Sequence, residues 1–193
     1  MTTTSGGDVT KQISMATNVA QLRGAGFQDV LAAYPTIKLI TVIGDWDGAK
    51  GAAIVKETLA TTPELDGIYV HSDAVYFEAV MQALDELGRL KPRGAEGHIF
   101  LAGVDGSPLG VQAIKDGFAD QVSNQPIPDF GIVVEWIARE LQGEVITEGE
   151  VVKEGALWSP AIVKLSPVGP QLFLSTTSVT VQNVDEPGLW ANQ

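Results

Sequence analysis

Three short apolar runs restrict this chain to one kind of fold. "IKLITVI" (37–43), "GIYVHS" (67–72) and "HIFLAGV" (98–104) are rich in β-branched or aromatic residues and are bounded by breakers or polar residues. Runs of this length read as buried strands. Between them the apolar spacing becomes helical. "NVAQLRGAGFQDVLAAY" sets Val19, Leu22, Val30, Leu31 and Tyr34 near a helical period, closed by Pro35, and "GAAIVKETLATTP" (51–63) ends at Pro63. "AVYFEAVMQALDELG" (74–88) spaces Val75, Ala79, Ala83 and Leu87 four apart, with Gly88 as its C-cap. "SPLGVQAIKDG" (107–117) starts on Ser107 as N-cap with Pro108 in the first turn. Strand and helix alternate, and a continuously apolar strand needs cover on two sides. The fold class is therefore α/β, a parallel sheet with helices on both faces.

The last third has a different texture. "PDFGIVVEWIAREL" (128–141) predicts an amphipathic helix through Phe130, Val133, Val134, Ile137 and Leu141, capped by Gly143. After residue 150, "ALWSPAIVKL" and "LFLSTTSVTV" read as extended segments separated by Pro167, Gly169 and Pro170, followed by an irregular tail. The expected division is a polar, partly disordered segment over 1–15, an α/β lobe over 16–127, and a returning helix with extended segments over 128–193.

Composition narrows the function. Hydrophobic residues at 45% and charged residues at 19% describe a soluble globular chain. No apolar run reaches the roughly 18–20 residues of a membrane span. A net charge of −12 argues against nucleic acid, which needs clustered Lys and Arg. The absence of cysteine removes disulfides and thiolate metal sites. The opening "MTTTSGGDVTKQISM" has no apolar core of a signal peptide. The expectation is either a cytoplasmic protein or one whose leader or larger N-terminal part is missing.

In open α/β sheets, ligands bind outside the carboxyl ends of the strands. The three strand exits read "GDWDG", "HSDA" and "VDGS", so Asp45 or Asp47, Asp73 and Asp105 gather at one edge with Trp46 among them. Each acid alone has a plain explanation: Asp73 as the N-cap of the next helix, the others as turn residues. Such an edge repels phosphates, and neither a Walker loop nor a G-x-G-x-x-G is present. A sugar suits it, because hydroxyls both donate and accept and the C–H face of the ring packs on an aromatic plane. Catalysis has little support. The two histidines are His71, at a strand end, and His98, at the wrong edge, and no nucleophile elbow or zinc motif occurs. No cofactor or metal is expected.

"AQLRGAGFQDVLAAYP", "GDWD", "ELDGIYVHSDAVYFEAVMQALDELGR", "LAGVDGSPLGVQAIKDG", "SNQP" and "VTVQNVDEPGLW" follow one another as in the type I periplasmic sugar-binding proteins of ABC importers, ribose/galactose class. The chain resembles their C-terminal lobe from about residue 16 to its end. The resemblance implies a guanidinium on sugar oxygens at Arg23, an aromatic plate at Trp46, a bidentate carboxylate at Asp105 and a hinge-region amide at Gln125. Ser72 stands where that family usually has Asn, a shorter side chain with half the hydrogen-bonding capacity, and Asp73 follows it. The partners implied are a small sugar and, in the complete protein, an ABC permease, with a periplasmic or extracellular location.

Nearly all of the first lobe is absent, as is the first strand of the second, for which only "TTTSGGDVTKQIS" stands in. A fragment, half of a split gene and a stand-alone half protein are the three readings. The apolar face of 128–141 needs burial, so self-association or a complementing N-terminal lobe is expected. The rival functions are the effector domain of a LacI-type regulator, which shares the middle motifs, and a sugar-modifying enzyme.

Overall fold

The computed structural model describes the backbone of residues 9–14 and all of residues 17–193. The expectation of partial disorder over 1–15 concerns, in residues 1–8 and 15, positions outside that set. Alternation runs as β1 (Val9–Ser14), α1 (Asn18–Leu31), β2 (Lys38–Ile43), α2 (Gly48–Thr61), β3 (Leu65–Val70), α3 (Asp73–Glu86), β4 (Phe100–Asp105), α4 (Pro108–Lys115) and β5 (Gln121–Asn124). The five strands are parallel, in the order β2-β1-β3-β4-β5. Each of the three apolar runs forms one of them.

The strand order carries the site. From β1 the chain steps outward to β2, then crosses back to β3 on the other side of β1. Right-handed crossovers put α1 on one face and α2, α3 and α4 on the other. The reversal between β1 and β3 opens a crevice beyond their carboxyl ends, where ligands of such sheets sit. Register aligns the exits: Tyr69 pairs with Ala102, so Ser72 and Asp105 come out level. The core lies under α2–α4, where Val55, Ile68, Phe77, Leu101 and Ile114 are at most 1% exposed.

Two features depart from the sequence reading. "VTKQIS", expected only to stand in for a missing strand, is β1 and lies inside the sheet, next to its edge strand, paired with β2 on one side and β3 on the other. Its β-branched Val9, Thr10 and Ile13 are interrupted by Lys11 and Gln12, so no apolar run announces it. Two flanking ladders stabilise it where its own pattern is weak. β5, also too polar to stand out, extends the sheet, and β9 (Thr177–Val179) adds an antiparallel edge strand from the C-terminal stretch.

A 3-10 turn (Ile127–Gly131) leads into α5 (Ile132–Leu141), so the amphipathic helix forms with Phe130 in the turn before it. Its apolar face is uncovered: Val133 is 57% exposed and Leu141 84%. β6 (Gly149–Val151), β7 (Ala161–Ser166) and β8 (Gly169–Phe173) make a separate antiparallel sheet.

The position of β1 has a direct consequence. Gln12→Pro removes a ladder donor from a strand flanked on both sides, where proline is not tolerated. Circular dichroism and urea titration should show loss of cooperative unfolding for this variant.

Candidate ligand-binding site

Arg23, in the second turn of α1, reaches across the crevice. Its Nη2 lies 3.1 Å from Asp105 Oδ1, and its Nη1 donates to the carbonyl of His71 at the end of β3. Its guanidinium carbon stands 5.9 Å from the centre of the Trp46 ring. The other oxygen of Asp105, Oδ2, accepts the hydroxyl of Ser72. The acid at the β4 exit is thus held by a cation from α1 and a hydroxyl from the β3 exit. Four of the residues singled out in the sequence, Arg23, Trp46, Ser72 and Asp105, meet at one rim. The ion pair is partly buried, with 21% and 16% of the two side chains exposed, so water screens it less than a surface pair.

The backbone at this rim is strained. Among the described residues, Asp45, Trp46 and Asp105 are the non-glycine residues with positive φ, at 55°, 53° and 121°. Such residues cost about 1–3 kcal/mol each and persist only where surrounding contacts fix them. The backbone N–H of Gln125 donates to the carbonyl of Asp105 at 2.8 Å. Gln125 also lines an apolar groove with Phe130, Trp136 and Phe173.

Ser72, not Asp73, is the N-cap of α3, its Oγ accepting from Val75. Asp73 is fully buried and presents no surface to a solute. Its two carboxylate oxygens instead accept the amides of Gly106 and Ser107 at 2.7 and 3.0 Å, tying the loop after Asp105 to the start of α3. α4 packs so closely here that a Cβ on Gly110 would lie 2.7 Å from the Asp73 carboxyl carbon. Asp47 caps α2 by accepting the Lys50 amide, and Asp45 pairs with the Lys50 ammonium. Those two acids serve the loop. His98 lies at the opposite edge, 3.0 Å from buried Asp120.

Two residues not assigned to the site by sequence reasoning belong to its surroundings. Tyr69 stacks on Phe27 of α1, with centroids 4.1 Å apart, and meets the ring of His71 edge-on. Burial pushes its phenol up to about 12, against the pull of Arg23, so it remains a neutral hydroxyl. His71, 1% exposed, is held down to about 4 by burial and by the charge of Arg23. Both lie on an apolar run whose alternation marks them only as core. Among the described residues no group of three or more acids and histidines could hold a metal ion, and no helix is long and apolar enough to cross a membrane.

His71 and Asp73 oppose each other in acid. The depressed His71 leaves the native state with fewer protons than the unfolded chain between about 4 and 6.5. Its contribution to stability is therefore present above that window and lost as pH falls through it. Burial, the largest effect on Asp73, pushes its carboxyl from 3.8 to about 6, so there the native state binds more protons, and stability falls as pH rises through that range. In the wild type the two trends offset each other between about pH 6 and 4. Asp73→Asn sets an amide N–H₂ against a backbone N–H, costing about 1–3 kcal/mol at pH 7. It also removes the offset, so urea midpoints should fall more steeply from pH 6 to 4 in the variant than in the wild type.

Comparison with known proteins agrees with this architecture. The family model for the periplasmic binding protein domain matches residues 6–144. The ribose import binding protein RbsB of Salmonella typhimurium is 28% identical over 131 residues, 67% of this chain and 42% of its own length. The xylitol-binding protein of Mycolicibacterium smegmatis is 30% identical over 145 residues, 74% of this chain and 38% of its own length. A solute-binding protein from Agrobacterium vitis bound with α-D-tagatopyranose superimposes with TM-score 0.71 at 19% identity, covering 95% of this chain and 53% of that one. One from Mycobacterium smegmatis with bound glycerol gives TM-score 0.60 at 26% identity, covering 74% and 48%. The chain spans less than half the length of these curated relatives. With most of its residues matched by the family model and its sheet shared with solved structures of the type I fold, the chain belongs to the periplasmic binding protein family.

Proposed function

We propose that the rim formed by Arg23, Trp46 and Asp105 binds a small sugar or polyol without chemical turnover, as part of the solute-binding component of an ABC importer. The observation that carries this reading is the single contact network in which Arg23 faces both the Trp46 ring and the Asp105 carboxylate. An indole plate beside a fixed ion pair offers a C–H surface and charge-assisted hydrogen bonds, the two things a polyhydroxylated ring needs. Ser72 and Asp73 act from behind, the first on the Asp105 side chain and the second on its loop. Gln125 flanks the same loop.

The relatives named above for ribose and xylitol support the ligand class and a periplasmic or extracellular site of action. In this reading 16–127 is the lobe that carries the site and 128–193 is its returning part. The uncovered apolar face of α5 supports a partner, either a second copy or a separate complementing lobe. One lobe covers only part of a ligand, so affinity of the chain alone is weak.

A panel of pentoses, hexoses and polyols, read by tryptophan emission and thermal shift, tests the proposal. At least one member should perturb the wild type. In Asp105→Ala, whose fold is checked by circular dichroism, affinity should fall about tenfold or more, as expected for losing a hydrogen bond to a charged group. Silence across the panel, or an unchanged response in the variant, contradicts it.

A further inference from the structure

We propose that Tyr76 sets the Trp46 ring at the rim and thereby tunes solute affinity without touching the solute. The first half of this statement stands on the geometry alone; the second rests on the sugar-binding reading.

Tyr76 lies on α3, 1% exposed, and its phenol oxygen accepts the backbone N–H of Trp46 at 2.8 Å. The amide of Asp47 donates instead to the carbonyl of Gly44, at 3.1 Å. The Tyr76 oxygen therefore holds the middle amide of "GDWDG", the loop in which Asp45 and Trp46 are both left-handed. Two adjacent non-glycine residues in that region persist where surrounding contacts fix them, and the turn's own Asp47–Gly44 bond leaves the Trp46 amide to Tyr76. The flanking contacts, Asp45 with Lys50 and Asp47 capping α2, do not involve the Trp46 amide.

The rings are coupled as well. Trp46 stacks over Tyr76 with centroids 6.4 Å apart and planes at 24°. Space for the phenol comes from α2, where a Cβ on Gly51 would stand 2.7 Å from Tyr76 Cδ1. The loop that carries the indole is thus bolted to a neighbouring helix through a hydroxyl, and the ring beneath supports it. If Tyr76 merely filled the core, its ring would suffice and phenylalanine would serve equally. Tyr76 is a positioning residue in this account, acting on ligand through Trp46.

The test labels the protein with 5-fluorotryptophan and assigns the Trp46 line among the four tryptophans by Trp46→Phe. In Tyr76→Phe, which keeps the ring and deletes the hydroxyl, the Trp46 fluorine line should shift and broaden while those of Trp136, Trp158 and Trp190 stay in place. For the sugar giving the largest wild-type response, Kd should rise about tenfold, the scale of one hydrogen bond's worth of preorganisation. Gly51→Ala, which displaces the Tyr76 ring but leaves its hydroxyl, should move the same line and decides the matter if Tyr76→Phe fails to fold. An unmoved Trp46 line overturns the proposal. A moved line with unchanged affinity overturns only the role in binding, and a wild type that binds no sugar removes the sugar reading while the fluorine spectra still decide the anchor.

Discussion

The rim depends on one buried carboxylate. Asp73 receives the amides of Gly106 and Ser107, so the first residue of α3 holds the loop that follows β4. Just before that loop stands Asp105, and just before Asp73 stands Ser72, whose hydroxyl reaches the Asp105 side chain. Backbone and side chain of the rim acid are therefore both referred to the start of one helix. The glycine spacing in "GVDGSPLG" follows from the same packing. A Cβ on Gly103 would stand 3.1 Å from the Asp73 Cβ, and one on Gly110 2.7 Å from its carboxyl carbon, so a larger side chain at either place would push on Asp73. Gly103 and Gly110 thus close around one acid, while Gly106, at φ 70°, lies against Asn124.

Strain and topology then converge. Among the described residues, those with positive φ other than glycine lie at or just past the carboxyl ends of β2 and β4, beside the place where the strand order reverses. A folded chain keeps such backbone only where other contacts outweigh its cost, and here these are the Tyr76 hydroxyl on one loop and the Asp73 carboxylate on the other. Arg23 spans the two loops from the opposite layer, touching the indole and the acid at once. The result is a preformed rim whose polar groups are already oriented. Preorganisation of this kind lowers the entropic cost of binding in general.

Much of this was legible from residues alone. Three apolar runs ending in "GDWD", "HSD" and "VDG" announced a parallel sheet with polar exits on one edge, and the parallel register made their meeting a geometric necessity. β1 was not legible, because Lys11 and Gln12 break its pattern and its place is set by two partner strands rather than by its own residues. The division of labour between Ser72 and Asp73 was equally hidden, since both are good cap residues and only the depth of the helix start decides between them. Tyr69, His71 and Tyr76 were not singled out for the site: His71 and Tyr76 are buried and Tyr69 is half-buried. Their polar atoms face the rim from behind, a direction that sequence periodicity does not encode.

The most direct measurement is a backbone and side-chain NMR titration of the chain with a pentose. The account predicts shifts concentrated at Arg23, the Trp46 indole, Asp105 and the neighbouring amides of Gly106 and Gln125. Shifts centred instead on the opposite edge of the sheet, around His98 and Asp120, would contradict it.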